Sequence, residues 1–222
     1  MRALHSSSAL AANFFDYWTD RNKISLLRAM GIDADSAKSL NFEAQFPTGL
    51  GGTPPHLDVA IKLNSCCTVA IECKFTEPFQ RSTKGKSEFV KSYFPSSGGL
   101  WTQVGLPECQ RLAEELCKNP RMFEYLDPGQ LLKHALGLAT QVGDQFSLYY
   151  LYYDGIGERS ESHKKEVVCF NDRVGDEIRF KALTYQDVFC KIKESEAVDP
   201  EYREYLDYLG ARYFNSHSLV KR

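Results

Sequence analysis

Three charged residues, Asp58, Glu72 and Lys74, have types and a spacing suited to binding a divalent cation beside a phosphate. Mg²⁺ is typically held by one or two carboxylates together with phosphate oxygens, and a nearby ammonium group stabilises developing negative charge. The three residues lie in segments 56–61 and 69–75, where apolar and other residues alternate with the period of a β-strand. The charged side chains would share one face. The opposite face would hold Leu57, Val59 and Ile61 in the first segment and Val69, Ile71, Cys73 and Phe75 in the second.

The residues between the two segments decide how these charges meet. Residues 64–66 are polar or small and predict a hairpin loop. A turn centred on Ser65 would place Asp58 directly opposite Glu72, with Lys74 beside them. Opposed carboxylates destabilise a sheet, by about 3 kcal/mol at a separation of ~5 Å and an effective dielectric of ~20. A cation between the oxygens would offset this repulsion. The alternative to a cation site is that Asp58 lies at the edge of the turn and that Glu72 and Lys74 form an exposed ion pair on an edge strand.

The motif formed by these residues resembles that of the PD-(D/E)XK nuclease superfamily, which has the restriction-endonuclease-like fold. The similarity consists of Asp58, thirteen intervening residues and Glu72-Cys73-Lys74 on an apolar strand. In this chain the proline of the motif is not adjacent to the aspartate, because Pro54 and Pro55 lie further upstream. That proline is the tolerant part of the pattern.

The resemblance implies a role for each motif residue. Asp58 and Glu72 would hold Mg²⁺ or Mn²⁺, and the backbone carbonyl of Cys73 would be a further metal ligand. Lys74 would lie near the attacking water or the scissile phosphate. The implied activity is Mg²⁺-dependent hydrolysis of DNA phosphodiester bonds by an endonuclease, with RNA as the alternative substrate. The competing hypothesis is an inactive nucleic-acid-binding or protein-binding module, and the three intact motif positions favour the enzyme.

Other residues are candidates for the same site. Glu43 precedes the Asp58 strand and is either an additional metal ligand or a solvent-facing strand residue. Gln130 and His134 lie on one helical face, which loosely resembles the Gln-x-x-x-Tyr element of RecB-type relatives, with His134 in place of the tyrosine. That resemblance implies substrate contacts. Gln130 equally fits a capping box that begins at Asp127.

Charge and composition limit the other possibilities. The 222-residue chain has a net charge of −2, so a DNA-binding surface must be local. Lys84 and Lys86, in the long segment 76–99 after the second strand, are the candidate substrate contacts, although a solvated loop explains them equally well. Homodimerisation or a partner would complete the surface.

Several protein classes are excluded by the sequence. The seven cysteines are scattered without a C-x-x-C pair, so neither a disulfide framework nor a zinc site is expected. The sequence has no apolar run of membrane-spanning length and no secretory pattern, which predicts a cytoplasmic protein without membrane contact. Phosphate-binding P-loops and G-x-S-x-G nucleophile turns are also absent. His163 lies in a polar context and is expected on the surface.

The surrounding elements predict an α/β fold. We expect a restriction-endonuclease-like core in which helices flank a central mixed β-sheet, in the order α-β-β-β-α-β. A single domain over 1–222 would comprise N-terminal helices (1–34), a catalytic core (about 35–155) and a C-terminal β/helical extension (156–222). The predicted helices lie near 10–18, 22–30 and 109–116, with others starting at Asp127-Pro128, after Thr184 and at Asp199-Pro200; the further strands lie near 40–46, 146–153 and 179–183.

Overall fold

A five-stranded mixed sheet lies at the centre of the computed structural model, which describes residues 6–80, 89–194 and 200–214. The first three strands pair antiparallel, and the third, fourth and fifth pair parallel. The predicted α/β fold with a restriction-endonuclease-like core is therefore confirmed. In spatial order the strands are β1 (Ala37–Gln45), β2 (His56–Leu63), β3 (Thr68–Lys74), β4 (Phe146–Tyr152) and β5 (Lys181–Thr184).

Helices cover both faces of the sheet, and each face has its own apolar cluster. One cluster joins the sheet to helices from the two ends of the chain, and the other joins it to helices from the middle. None of the helices within the described ranges has the length and apolar composition needed to cross a bilayer. The helices are α1 (Ser7–Phe15), α2 (Ile24–Ala29), α3 (Leu100–Gln103), α4 (Pro107–Lys118), α5 (Pro128–Val142), α6 (Glu158–Ile178), α7 (Tyr185–Glu194) and α8 (Pro200–Leu209).

Local sequence signals set several helix boundaries. The side chain of Asp127 accepts a hydrogen bond from the backbone N–H of Gln130 at 3.0 Å, and proline follows as the first residue of α5. Thr184 caps α7 in the same way, by accepting from the N–H of Asp187 at 3.0 Å. Gly31, with φ of +67°, adopts the left-handed conformation that ends α2. The caps predicted for α5 and α7 are thus confirmed.

The two central strands are buried on both faces, as expected for parallel strands covered by helices. In β3, Ile71 and Cys73 enter the cluster with α1 and α7, while Ala70 enters the cluster with α5. One predicted position in β2 is wrong. Leu57 does not share the face of Val59, because it packs in the opposite cluster, with Ala70. The alternation along β2 breaks at Asp58, which lies between these two residues and just beyond the last β2–β3 pair.

The longest helix, α6, was not predicted from the sequence. It has 21 residues, and most of its surface is charged. Its buried residues are mostly three or four positions apart, so they form one narrow stripe that faces the core. His163 belongs to this stripe and is 1% exposed, so its expected surface location is wrong. The buried residues of α6 are Ser160, His163, Val167, Phe170, Val174, Gly175 and Ile178.

Two carboxylates of α6 hold backbone N–H groups of other segments. Glu166 accepts from three successive residues just before α5, at 2.8, 2.9 and 2.8 Å. Glu177 accepts from two residues in the first turn of α4, at 2.9 and 2.8 Å. The donors in α4 lie in its first turn, where N–H groups have no partner inside the helix, so Glu177 caps α4, while Glu166 anchors the segment before α5. The donors are Glu124, Tyr125 and Leu126 for the first acceptor and Glu108 and Cys109 for the second.

Replacing Glu166 by alanine is expected to lower the free energy of unfolding by about 2 kcal/mol, because three backbone donors lose a charged acceptor at once. Urea unfolding followed by circular dichroism measures the change. Glu161→Ala on the same helix is the control. Glu161 accepts from Lys164 at 3.2 Å on the exposed face, and its loss should cost less than about 0.5 kcal/mol. Equal losses in the two variants would show that Glu166 does not anchor the segment before α5.

Candidate active site

The β2–β3 hairpin places the motif residues at the point where its strands separate. The observed pairing has the predicted register and runs from Lys62–Thr68 to Val59–Ile71. It ends one position before Asp58 and Glu72 would face each other. Instead of forming a ladder pair, Asp58 accepts a hydrogen bond through Oδ2 from the backbone N–H of Cys73, at 2.7 Å. The aspartate is thereby fixed against β3, next to the glutamate.

Glu72 is a buried carboxylate with a cationic or polar group at each oxygen. Its side chain is 2% exposed, and Oε1 accepts from Nζ of Lys74 at 2.6 Å. Oε2 lies 3.0 Å from Nε2 of His134. This contact lowers the pKa of Glu72, but Oε2 has no well-aligned hydrogen bond within the described part of the chain. Oε2 is therefore the oxygen of Glu72 with capacity for another ligand.

Lys74 joins the sheet to α5. Its side chain is 15% exposed, and Nζ donates to Oε1 of Glu72 and to Oε1 of Gln130, the second at 2.8 Å. Gln130 takes part both in the cap of α5 and in the charged cluster. Its backbone N–H bonds the capping residue of α5, while its side chain reaches the site instead of the cap. Substrate contacts by Gln130 and His134 stay predictions.

Burial and neighbouring charges set the protonation states. Burial, together with the charge of Glu72, raises the pKa of Asp58 to about 7, although the Cys73 N–H and Lys74 act in the opposite direction. Burial alone would raise the pKa of Glu72, but His134 and Lys74 outweigh it and the pKa is lowered. Burial alone would lower the pKa of Lys74, but the surrounding carboxylates, led by Glu72, raise it. Near neutral pH, Glu72 and Lys74 form an ion pair and Asp58 titrates.

Glu43 lies on β1 across from Asp58. The pairs Phe42–Val59 and Ala44–Leu57 flank this position in the β1–β2 ladder. Glu43 adopts a left-handed backbone conformation with φ of +49°. Its Oε2 lies 3.6 Å from Nδ1 of His56, and both side chains are exposed. The carboxylate of Glu43 adds to the rise in the pKa of Asp58, so it is near the site. Metal ligation by Glu43 stays a prediction.

The remaining candidate residues differ in what the structure says about them. Lys84 and Lys86 lie outside the described residues. The side chain of Cys73 is fully buried, and metal ligation by its carbonyl stays a prediction. Within the described ranges, no group of three or more histidine, cysteine, aspartate or glutamate side chains is placed to hold a metal ion. A bound ion would therefore depend on Asp58 and Glu72 together with backbone, water or phosphate oxygens.

A second buried polar pair lies beside Glu72. Tyr150 is the residue of β4 that faces Glu72 in the parallel β3–β4 register. Its hydroxyl lies 2.9 Å from Nε2 of His163, and both residues are buried. No local sequence pattern indicates this contact, because it depends on the packing of α6 against β4.

The fold and the charged cluster together define a restriction-endonuclease-like protein. The family model described as "Restriction Endonuclease associating with ARP" matches residues 1–214. The chain belongs to this family. No curated protein and no solved structure matches the chain.

Proposed function

We propose that this protein is a Mg²⁺- or Mn²⁺-dependent endonuclease of the PD-(D/E)XK type that hydrolyses DNA phosphodiester bonds. One observation carries the proposal: Asp58, Glu72 and Lys74 converge where β2 and β3 separate, and both carboxylates lie against the same short stretch of β3. Membership of the restriction endonuclease family supports it.

The residues present fit a hard divalent cation. Oε2 of Glu72 is a buried carboxylate oxygen without an aligned hydrogen bond in the described chain. Burial and the nearby charge of Glu72 raise the pKa of Asp58, so the two carboxylates lie close together. Carboxylate oxygens are the ligands that Mg²⁺ and Mn²⁺ prefer. Asp58 and Glu72 would hold the ion, with the Cys73 carbonyl and Glu43 as further candidates. The bound ion would polarise the phosphate and lower the pKa of a water.

Lys74 has the clearest role among the protein groups. Gln130 and Glu72 hold its ammonium group in one place, so it requires little reorganisation when negative charge builds up on the phosphate oxygens. In the proposed reaction the oxygen of a water bonds to phosphorus as the bond to the 3′ oxygen breaks. The water loses a proton to solvent, and the 3′ oxygen gains one. The products are a 5′-phosphate and a 3′-hydroxyl.

The second candidate is an inactive module that binds DNA, RNA or a protein partner. The near-complete burial of Glu72 and the net charge of −2 favour this candidate, because both restrict the approach of a phosphate backbone. Homodimerisation would supply additional binding surface under either proposal.

Purified protein is expected to nick or degrade DNA with Mg²⁺ or Mn²⁺ and to be inactive with excess EDTA. Gel analysis of supercoiled, linear, single-stranded and branched DNA, with matched RNA, would establish the substrate class. Glu72→Ala should eliminate cleavage. Cleavage that persists in EDTA, or in the Glu72 variant, would contradict the mechanism, and binding without cleavage of any substrate would favour the inactive module.

A further inference from the structure

His134 is a polar side chain on the apolar face of α5. It is 1% exposed, and the residues one helical turn away are the buried Leu131, Gly137 and Leu138 and the partly buried Gln130. Neither ring nitrogen makes an aligned hydrogen bond with the described part of the chain. The imidazole comes within 3.0 Å of one polar group, Oε2 of Glu72. Because a buried polar ring costs free energy unless it is paired, this contact is the main reason for a histidine here.

His134 and Lys74 contact different oxygens of the Glu72 carboxylate. Lys74 contacts Oε1 from the same strand, and His134 contacts Oε2 from the facing helix. Each carboxylate oxygen is therefore contacted by a different element of the fold, which restricts rotation of the glutamate side chain. A metal ligand whose direction is fixed before the ion arrives binds more tightly, and partners that orient ligands commonly contribute about 10–100-fold in metal affinity.

We propose that His134 is a positioning residue for Glu72: it orients the carboxylate that would bind the metal ion and does not contact the substrate. This inference rests on the proposed function, since it assumes that Glu72 binds a divalent cation. It differs from the substrate contact that the RecB resemblance implies for His134, because the ring contacts Glu72 and is only 1% exposed to solvent.

Replacing His134 by glutamine or by asparagine distinguishes a positioning role from a role in packing alone. The amide nitrogen of glutamine reaches about as far as Nε2 of histidine, whereas that of asparagine does not. His134→Gln should therefore keep the contact with Glu72, and His134→Asn should lose it. His163→Asn is the matched control, because His163 is equally buried on the same side of the sheet but bonds Tyr150.

The affinity for Mn²⁺ is measured by calorimetry without DNA, with the melting temperature recorded for each variant. We expect His134→Asn to weaken binding by about 10–100-fold, while His134→Gln and His163→Asn stay within about 3-fold of the wild type. Both asparagine variants should lose similar thermal stability. If His134→Asn does not fold, the glutamine variant decides: near-wild-type affinity supports the role, and a tenfold loss overturns it.

Three negative results are possible, and they have different meanings. Tight Mn²⁺ binding by the wild type with unchanged affinity in His134→Asn would overturn the positioning role alone. Equal weakening in His134→Asn and His163→Asn would overturn it as well, because loss of packing would then explain the effect. A wild-type protein that binds no Mn²⁺ would overturn the metal site of the proposed function, and the role of His134 with it.

Discussion

Replacing Lys74 by methionine is expected to lower the rate of DNA cleavage by about 10²–10³-fold, because the phosphate loses a charge that the fold holds in place. The substitution keeps the length of the side chain and removes its ammonium group. Single-turnover cleavage at saturating Mg²⁺ measures the effect on the chemical step. The variant should also be less stable, since Glu72 would remain buried without its ion-pair partner. Its melting temperature must therefore be measured alongside the rate.

Two further variants separate charge from folding. Lys74→Arg keeps a cation beside Glu72, so it should restore stability while recovering only part of the activity, because a guanidinium differs from an ammonium group in shape. Lys62→Met removes an exposed lysine from β2, outside the site, and should leave the rate unchanged. A folded Lys74→Met protein that cleaves DNA at the wild-type rate would rule out the assigned role of Lys74.

Asp58→Asn is expected to stabilise the metal-free protein at alkaline pH. The pKa of Asp58 is raised from 3.8 to about 7, so between these values the folded protein holds a proton that the unfolded chain releases. Stability of the wild type therefore falls as the pH rises through this range. Asparagine avoids the buried charge and still accepts from the Cys73 N–H. The gain at pH 8 should be on the order of 4 kcal/mol and should become small near pH 4.

The same variant should lose its response to metal. Mg²⁺ or Mn²⁺ should raise the melting temperature of the wild type at pH 8 and have little effect on Asp58→Asn, because the ion requires the ionised carboxylate. Thermal melts over a pH series, with and without the ion, measure both effects. Asp33→Asn, at an exposed position, is the control for removing a carboxylate elsewhere. Parallel pH profiles for the wild type and Asp58→Asn would contradict the buried, metal-binding role of Asp58.

The hairpin that carries the motif could be predicted because its determinants are local. Alternation of apolar residues defines the two strands, and the short polar loop sets their register, so Val59 faces Ile71 as expected. The break at Asp58 could not be predicted. The aspartate side chain replaces a ladder bond by accepting from Cys73, and Leu57 then turns to the other apolar cluster.

Contacts between distant segments were beyond the reach of sequence patterns. The spacing of Gln130 and His134 predicts a shared helix face, but the contact of that face with Lys74 and Glu72 depends on how α5 packs against β3. His163 was expected at the surface because charged residues surround it. Its burial follows from a narrow apolar stripe that only the docked helix makes evident.

The two carboxylates of α6 that hold the start of α4 and the segment before α5 have a consequence for how the molecule inactivates. If α6 detaches, the segment before α5 loses its anchor, and α5 can shift away from the sheet with Gln130 and His134. The catalytic lifetime on heating would then be governed by the rate at which this remote helix opens. The resistance of the site to heat would thus depend on how firmly α6 is packed, although α6 contributes no residue to the site.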